Sequence, residues 1–536
     1  MNFEGNKYDG FERLAKFITE HSRDDPDRLA LQKGNWPEID VATAVSTLVS
    51  RRKLTKKAPI WATTNGLVLP RTLSAEQCSG EAAARHKARA IREFLDRNSM
   101  KASYCDDASE SLHCRATKSP GGSNAGVGKC RYRIADLTGG LGVDCLEFSK
   151  VAEAVLYNEM LPELAEAAAH NFMVLGVRNI AVCCFEASQI TLCEGGSEVT
   201  DAARDVQAGN GMTAQVKPPM AASTCAGSLR KRLERFRPDV IYLDPARRDG
   251  CGKKVFLLED CSPDILKIKD ILLNIAPVLA LKLSPMADIG MVLERLGNEC
   301  RELHVIESGG ECKELLVLMR RDAEKLEECL IKVYSLSTRE GGDKGNESPV
   351  FEFRRDEESG CTGLRLAESE EIAPRALLFE PGKALMKAGC FKLIGERLEV
   401  PALGRDTHYY ILKDNYMTAD ITSAPDEGEC RNQEAQRNES RNAEKHDDRE
   451  KNCAIKASVA RAGKLFRILD VCEMSRKTIK EFGRRHPEAE VTARNVRMTS
   501  EELRKCLGCK SSDRYHTFAL HTDKTDKNLL FFTERV

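Results

Sequence analysis

Ile134-Ala135-Asp136-Leu137-Thr138-Gly139-Gly140-Leu141-Gly142 and Ile241-Tyr242-Leu243-Asp244-Pro245-Ala246-Arg247-Arg248 are the two stretches that decide how this chain folds. Each is an apolar run that ends in glycine-rich or polar residues, the pattern of a strand buried on both faces of a parallel sheet. The reactive groups then fall where two strands stop. In open α/β sheets, ligands bind outside the carboxyl ends of the strands. A glycine loop after one strand and Asp-Pro after another outline a small-molecule cleft with a reactive floor.

The neighbouring sequence carries the same alternation. Strands are expected over Arg133 to Leu137, Ala154 to Asn158, Ile180 to Phe185, Asp239 to Leu243 and Val278 to Leu283. Helical segments fall between them: one beginning at Leu146 to Lys150, Pro162 to Leu175 with proline in its first turn, and Asp264 to Ile275. Strand and helix in alternation imply a doubly wound parallel sheet. Upstream, Phe11 to Ile18, Val41 to Leu54 and Ala82 to Leu95 place apolar residues at helical spacing. The fold class expected is therefore α/β. It combines a Rossmann-like sheet over 130–335 with an N-terminal helical domain over 1–104. Four polar segments, Asp106 to Lys129, Thr191 to Ser228, Ser337 to Pro349 and Thr422 to Asn452, interrupt these elements. The last has almost no aliphatic residue and cannot bury enough surface to fold alone.

A chain of 536 residues exceeds one hydrophobic core, so three or four domains are expected. Its net charge of −1 provides no global basic field, and contact with nucleic acid must rest on a local patch. No apolar run is long enough to span a bilayer, and the polar residues Met1 to Lys7 do not make a signal peptide, so a cytoplasmic protein is expected. The 21 cysteines mostly lie in apolar contexts, where free cysteine packs as a small hydrophobe. One Cys-x-x-Cys pair occurs, Cys506 and Cys509, but a zinc ribbon needs a second pair, and no metal is expected.

The glycine loop favours S-adenosylmethionine (SAM) over a dinucleotide. Gly140-Leu141-Gly142 is followed by Val143, Asp144 and Cys145, so the third glycine of a dinucleotide fingerprint is missing. Residues without a Cβ allow the backbone to approach the methionine part of the cofactor and turn into a helix. Asp136 precedes the loop, where a carboxylate can hold an ammonium group. Glu159 ends the second strand, about 20 residues on, and suits ribose hydroxyls. Glu186 ends the third strand and can accept from an adenine amino group, with Phe185 packing on the ring. At the fourth strand end, Asp244 can accept a hydrogen bond from a nitrogen awaiting methylation, while Pro245 stiffens the turn. Nucleic-acid amine methyltransferases often carry Asp-Pro-Pro and then an aromatic residue that stacks on the flipped base. Ala246 and Arg247 replace that pair here, and Arg247 and Arg248 can instead contact phosphate. Lys282, in Lys282-Leu283-Ser284-Pro285, can orient a substrate. Cys312 is a candidate nucleophile without an evident base.

At these residues the chain resembles a bacterial family classed as class I SAM-dependent methyltransferases with a THUMP-like domain at the C-terminus. Ala135 to Asp144, Tyr242 to Arg248, Lys282 to Met286 and Glu311-Cys312-Lys313-Glu314-Leu315-Leu316 carry the likeness. Phe379 to Gly389 resembles the family's small ferredoxin-like segment, expected over 350–420. Arg494-Asn495-Val496 with Glu501 to Lys505 resembles its terminal THUMP-like domain, expected over 455–536. The resemblance implies SAM as cofactor, with Asp136, Thr138, Gly139, Gly140, Gly142, Glu159 and Glu186 holding it. It implies methyl transfer at Asp244, Pro245, Arg247 and Lys282, and RNA as the substrate and partner, modified at a nucleobase amine or ring nitrogen. Arg476, Lys477, Lys480, Arg484 and Arg485, followed by Arg494, Arg497, Arg504 and Lys505, form a basic cluster compatible with an RNA footprint. The alternatives are an RNA-binding adaptor with a degenerate methyltransferase domain, or a small-molecule methyltransferase.

Overall fold

Runs of buried apolar residues bounded by polar turns set the strands of this protein, seen here in a computed structural model. The structure describes residues 5–105, 131–191, 228–246, 258–321, 328–336, 348–412 and 458–536. Asp106 to Lys129 and Thr422 to Asn452 lie outside the described residues, as do most of Thr191 to Ser228 and Ser337 to Pro349, and the Arg247-Arg248 pair. The described chain divides into two units, Met1–Leu303 with Glu314–Cys329, and His304–Lys313 with Leu330–Val536.

The first unit begins with helices α1 (Gly5–Glu20), α2 (Pro26–Leu31), α3 (Val41–Leu54), α4 (Pro59–Thr63), α5 (Thr72–Gln77) and α6 (Glu81–Cys105). Asp25 and Asp40 cap α2 and α3, their carboxylates accepting first-turn amides that have no partner within the helix. Leu14, Phe17, Ile18, Leu29, Val41, Ala44, Leu48 and Val68 bury one small core among these helices. The sheet follows, with β1 (Arg133–Asp136), α7 (Val143–Val151), β2 (Ala154–Asn158), α8 (Pro162–Val174) and β3 (Ile180–Cys183). It continues through α9 (Leu229–Phe236), β4 (Val240–Leu243), α10 (Ile265–Ile275), β5 (Val278–Leu283), α11 (Ile289–Leu296), β6 (Cys300–Ser308) and β7 (Glu311–Arg320).

The strand order is β3-β2-β1-β4-β5-β7-β6. β2 and β4 flank β1 in parallel, β3 and β5 extend the parallel run outward, and β7 joins β5 antiparallel. All residues of β4 and β5 are buried, which explains why both read as unbroken apolar runs. The chain steps outward from β1 to β2 and β3, then returns to the other side of β1 with β4. This reversal places a crevice at the carboxyl ends of β1 and β4, where the two decisive stretches end. The third strand is shorter than its apolar run, stopping at Cys183, because Phe185 donates its amide to the Asn158 side chain instead of a neighbouring strand.

The second unit carries β8 (Leu330–Leu336), β9 (Phe351–Phe353), α12 (Arg355–Gly360), β10 (Leu377–Pro381), α13 (Lys383–Ala388), α14 (Phe391–Arg397) and β11 (Tyr410–Leu412). β12 (Gly463–Glu473), α15 (Arg476–Arg485), β13 (Glu490–Arg494), α16 (Ser500–Leu507), β14 (Tyr515–Thr522) and β15 (Lys527–Arg535) complete it. Six strands form one sheet in the order β11-β10-β12-β15-β14-β13. Side chains of α15 and α16, among them Ile479, Phe482, Leu503 and Leu507, share a core with Ala519, Leu530 and Phe532 of the sheet. Capping boxes at Ser475 and Thr499 fix the starts of both helices.

Candidate active site

Hydrogen bonds sew the three parallel strand ends together. Asn158, fully buried at the end of β2, donates to the carbonyls of Leu137 and Phe185 (both 3.0 Å) and accepts the Phe185 amide. This one side chain ties the exits of the first three strands into a single rim. Close packing then sets the shape of the glycine loop. A Cβ on Gly139 would lie 2.1 Å from the Tyr157 ring, and one on Gly142 would lie 2.7 Å from Phe172 at a φ of +91°. Only glycine fits at either position. The Tyr157 hydroxyl donates to the Gly140 carbonyl at 2.6 Å and fixes the loop from below.

Asp136 is buried, and its carboxylate accepts the Thr138 amide at 2.9 Å and the Cys145 thiol at 3.2 Å. Burial outweighs these bonds and pushes its pKa up from 3.8 to about 7. Glu159 accepts the amides of Gly140 (2.9 Å) and Leu161 (3.0 Å), and burial raises its pKa as well. Each Glu159 oxygen has a second lone pair, so a ribose hydroxyl can still donate to it. Glu186 is exposed and accepts from the Ser188 hydroxyl and the Gln189 side-chain amide at the start of a short 3-10 turn, Ala187–Thr191.

The Asp-Pro floor joins this loop directly. The Asp244 amide donates to Thr138 Oγ1 at 2.6 Å, and Pro245 is buried. Lys282 Nζ donates to Asp244 Oδ2 at 2.5 Å. The sequence pointed to Lys282 as a substrate-orienting group, and the structure pairs it with Asp244. Burial works against the Lys282 charge, but Asp244, Glu314 and Asp144 together outweigh it and hold the ammonium above the usual lysine range. Arg247, expected beside this floor, lies outside the described residues.

Behind the floor sit charges that sequence reasoning missed. Lys87 of α6 is fully buried; its Nζ lies 3.0 Å from Asp144 Oδ2, 2.5 Å from Ser79 Oγ and 3.1 Å from Glu314 Oε1. Tyr242 OH donates to Asp144 Oδ2 at 3.0 Å. Burial alone would raise the Asp144 pKa, but Lys87 and Lys282 outweigh it and lower it. Cys312 is half-buried on β7, and the described cysteines are free thiols. Among the described residues, no three His, Cys, Asp or Glu side chains gather as a metal site, and no helix is long and apolar enough to cross a membrane.

The basic cluster lies in the second unit. Arg485 pairs with Asp470, Arg504 with Glu490, Lys505 with Glu501 and Lys477 with Glu481. Arg476, Lys480 and Arg484 are exposed on α15 at successive steps of four residues, and Arg497 is exposed in the following loop. Four-residue spacing puts the first three on one helix face.

The strand order is that of a Rossmann-like α/β sheet of the class I methyltransferase type. One solved structure shares the fold over the whole chain. The crystal structure described as "putative methyltransferase from Porphyromonas gingivalis W83" covers 100% of both chains at 22% identity and a TM-score of 0.66. Residues 377–416 match a ferredoxin-like domain family, and residues 463–535 match a THUMP domain-like family. A SAM-dependent methyltransferase from Aquifex aeolicus covers 35% of this chain and 82% of its own, at 14% identity and a TM-score of 0.21. A Streptococcus mutans protein in complex with S-adenosylhomocysteine (SAH), described as a "putative methyltransferase", covers 35% of this chain and 88% of its own, at 10% identity and a TM-score of 0.22. Scores that low add nothing to the assignment. No curated protein matches the sequence.

Proposed function

We propose that this protein transfers the methyl group of SAM to a nitrogen of an RNA base. The observation that carries this reading is the 2.6 Å bond from the Asp244 amide to Thr138 Oγ1, which locks the cofactor loop and the acceptor floor into one site. Asp136, Gly139, Gly140, Gly142 and Glu159 would hold the cofactor. The fit is physical: packing of Gly139 on the Tyr157 ring fixes the shape of the loop, and a buried carboxyl at Asp136 gains a counter-charge when an ammonium group arrives. Glu186, exposed just beyond the end of β3, would meet the adenine side. When bound, SAM supplies an electrophilic methyl on a positively charged sulfonium.

The chain's own residues supply alignment. Asp244 Oδ2 is held by Lys282, and Oδ1 has no protein partner among the described residues. An acceptor N–H donating to Asp244 would aim its lone pair at the methyl group, and fixing that geometry supplies much of the rate. Pro245 stiffens the turn that carries the carboxylate. RNA as substrate is favoured by the THUMP-like match and by the exposed Arg476, Lys480, Arg484 and Arg497.

Mass spectrometry of RNA nucleosides from cells with and without the protein tests the reading. A methylated base that disappears with the protein, and returns with the wild type but not with Asp244→Ala, supports it. An unchanged nucleoside profile, or full turnover by Asp244→Ala while that variant still binds SAH, would refute it.

A further inference from the structure

The N-terminal helical segment reaches the charges behind the floor through Lys87 of α6. Glu314, on β7, stands between two lysines: its Oε1 lies 3.1 Å from Lys87 Nζ, and its Oε2 lies 4.0 Å from Lys282 Nζ. Lys282 therefore has a choice of carboxylates, Asp244 at 2.5 Å or Glu314 at 4.0 Å. All four side chains are at least half-buried, and Lys87 and Glu314 are almost wholly so. Attraction between charges is strong where water is excluded. An unneutralised Glu314 would compete for Lys282.

Lys87 prevents that. Asp144, itself lying 2.9 Å from Lys87 through Oδ1, and the Ser79 hydroxyl pin the ammonium in place. Tyr242 donates to the same Asp144 from β4 and stiffens the arrangement from the strand that bears Asp244. Two carboxylate oxygens, Asp144 Oδ1 and Glu314 Oε1, face Lys87 without an aligned hydrogen bond, so charge is what holds them.

We propose that Lys87 is a positioning residue: by neutralising Glu314 it leaves Lys282 on Asp244, and so sets the orientation of the carboxylate that receives the methyl acceptor. This rests on the proposed methyl transfer at Asp244. Without Lys87, Lys282 turns to Glu314 and Asp244 loses its anchor. The N-terminal helices thus control an acceptor site built by the sheet.

Two neutral variants and a charge-keeping one test this in the full-length protein. Lys87→Met removes the charge, Lys87→Gln removes it while keeping a donor for the buried carboxylates, and Lys87→Arg retains it. Crystal structures of Lys87→Met or Lys87→Gln should show Lys282 Nζ bonded to Glu314 and withdrawn from Asp244. Methyl transfer from labelled SAM to RNA from cells lacking the protein should fall about ten- to a hundredfold in kcat, the scale of an ångström-sized misplacement, with SAH affinity little changed. Lys87→Arg should retain most activity. Adding Glu314→Gln to Lys87→Gln removes the competing charge and should restore turnover while Tm stays low, because Asp144 remains unpaired. Lys282 remaining on Asp244 in both neutral variants, or activity that simply follows Tm across the series, would overturn the inference. A wild-type protein inactive on RNA would instead overturn the proposed function, while the crystallographic position of Lys282 would still decide the role of Lys87.

Discussion

Affinity for SAH should climb as the pH rises through the range in which Asp136 gives up its proton. Burial raises this carboxyl from 3.8 to about 7, and a cofactor ammonium can be held only by its ionised form. At pH 5, well below that value, roughly one molecule in a hundred is ionised, so binding should be about a hundredfold weaker than at full ionisation, or about 2.7 kcal/mol. Above about pH 8 the ligand's own α-amino group begins to lose its charge, so the gain is confined to the interval between about 5 and 7.5. Stability of the unliganded protein should move the opposite way. The folded pKa exceeds the unfolded one, so the contribution of Asp136 is complete below about pH 4 and is lost as pH rises through about 7. The rise from 3.8 to about 7 corresponds to about 4 kcal/mol as an upper bound. Titration calorimetry with SAH from pH 5 to 7.5, in two buffers of different ionisation enthalpy, measures both the slope and the proton released. Glu159 is also raised, so Asp136→Asn is the necessary control, and its affinity should be weak and nearly flat with pH. A wild-type affinity that does not change over this interval, or an equal slope in Asp136→Asn, would remove the argument that Asp136 meets the ammonium.

Gly139→Ala should abolish SAH binding and lower Tm, because its Cβ meets the Tyr157 ring at 2.1 Å and the ring is fixed between the loop and Phe172; differential scanning calorimetry with and without SAH reads both effects, and normal binding would show that the loop is not the cofactor cradle. Replacing Arg476, Lys480 and Arg484 together by Gln should weaken RNA binding for all sequences alike and flatten the salt dependence of log K by roughly two, at about 0.7 per phosphate contact on single strands. An unchanged salt slope in fluorescence anisotropy would take α15 out of the RNA interface.

What the sequence made legible was whatever repeats along the chain. Ala154–Asn158 and Val278–Leu283 are strands with the bounds their apolar runs predict, and Asp264, the first residue of the expected helix, stands at the N-cap of α10 just before its first turn. Asp136, Glu159 and Asp244 were legible because each ends an apolar run, and a parallel sheet delivers such ends to one edge. The helix after the glycine loop begins at Val143, earlier than the expected Leu146, because Gly142 itself caps it in a left-handed conformation. The network behind the floor could not be read in this way. Lys87, Asp144, Lys282 and Glu314 come from four separated elements, and only the assembled sheet brings them together. One local signal did exist. Ala84, Ala88 and Ile91 follow the buried stripe of α6, and Lys87 falls within that register, where a lysine is out of place unless a carboxylate waits across the interface.

Such a lysine is a poor device for stability. Removing two charges from water costs several kcal/mol per ion, and apolar residues of similar volume often do as well or better. Here two lysines and two carboxylates are almost wholly buried within reach of one another, with Asp244 half-buried beside them. Hydrophobic packing could hold α6 in place at lower cost, and Ala84, Ala88 and Ile91 are already buried on it. What apolar packing cannot do is fix the rotamer of a half-buried carboxylate. A chain of alternating charges does so, because two ammonium groups are shared among three carboxylates and each carboxylate is drawn to the ammonium nearest it. Lys87 stands between Asp144 and Glu314, its attraction draws Glu314 toward itself, and Lys282 is left to Asp244. On the proposed role of Lys87, the decisive Asp-Pro stretch is only half of its own site: the strand places Asp244 at the crevice, and a residue 157 positions earlier would set which way it is held.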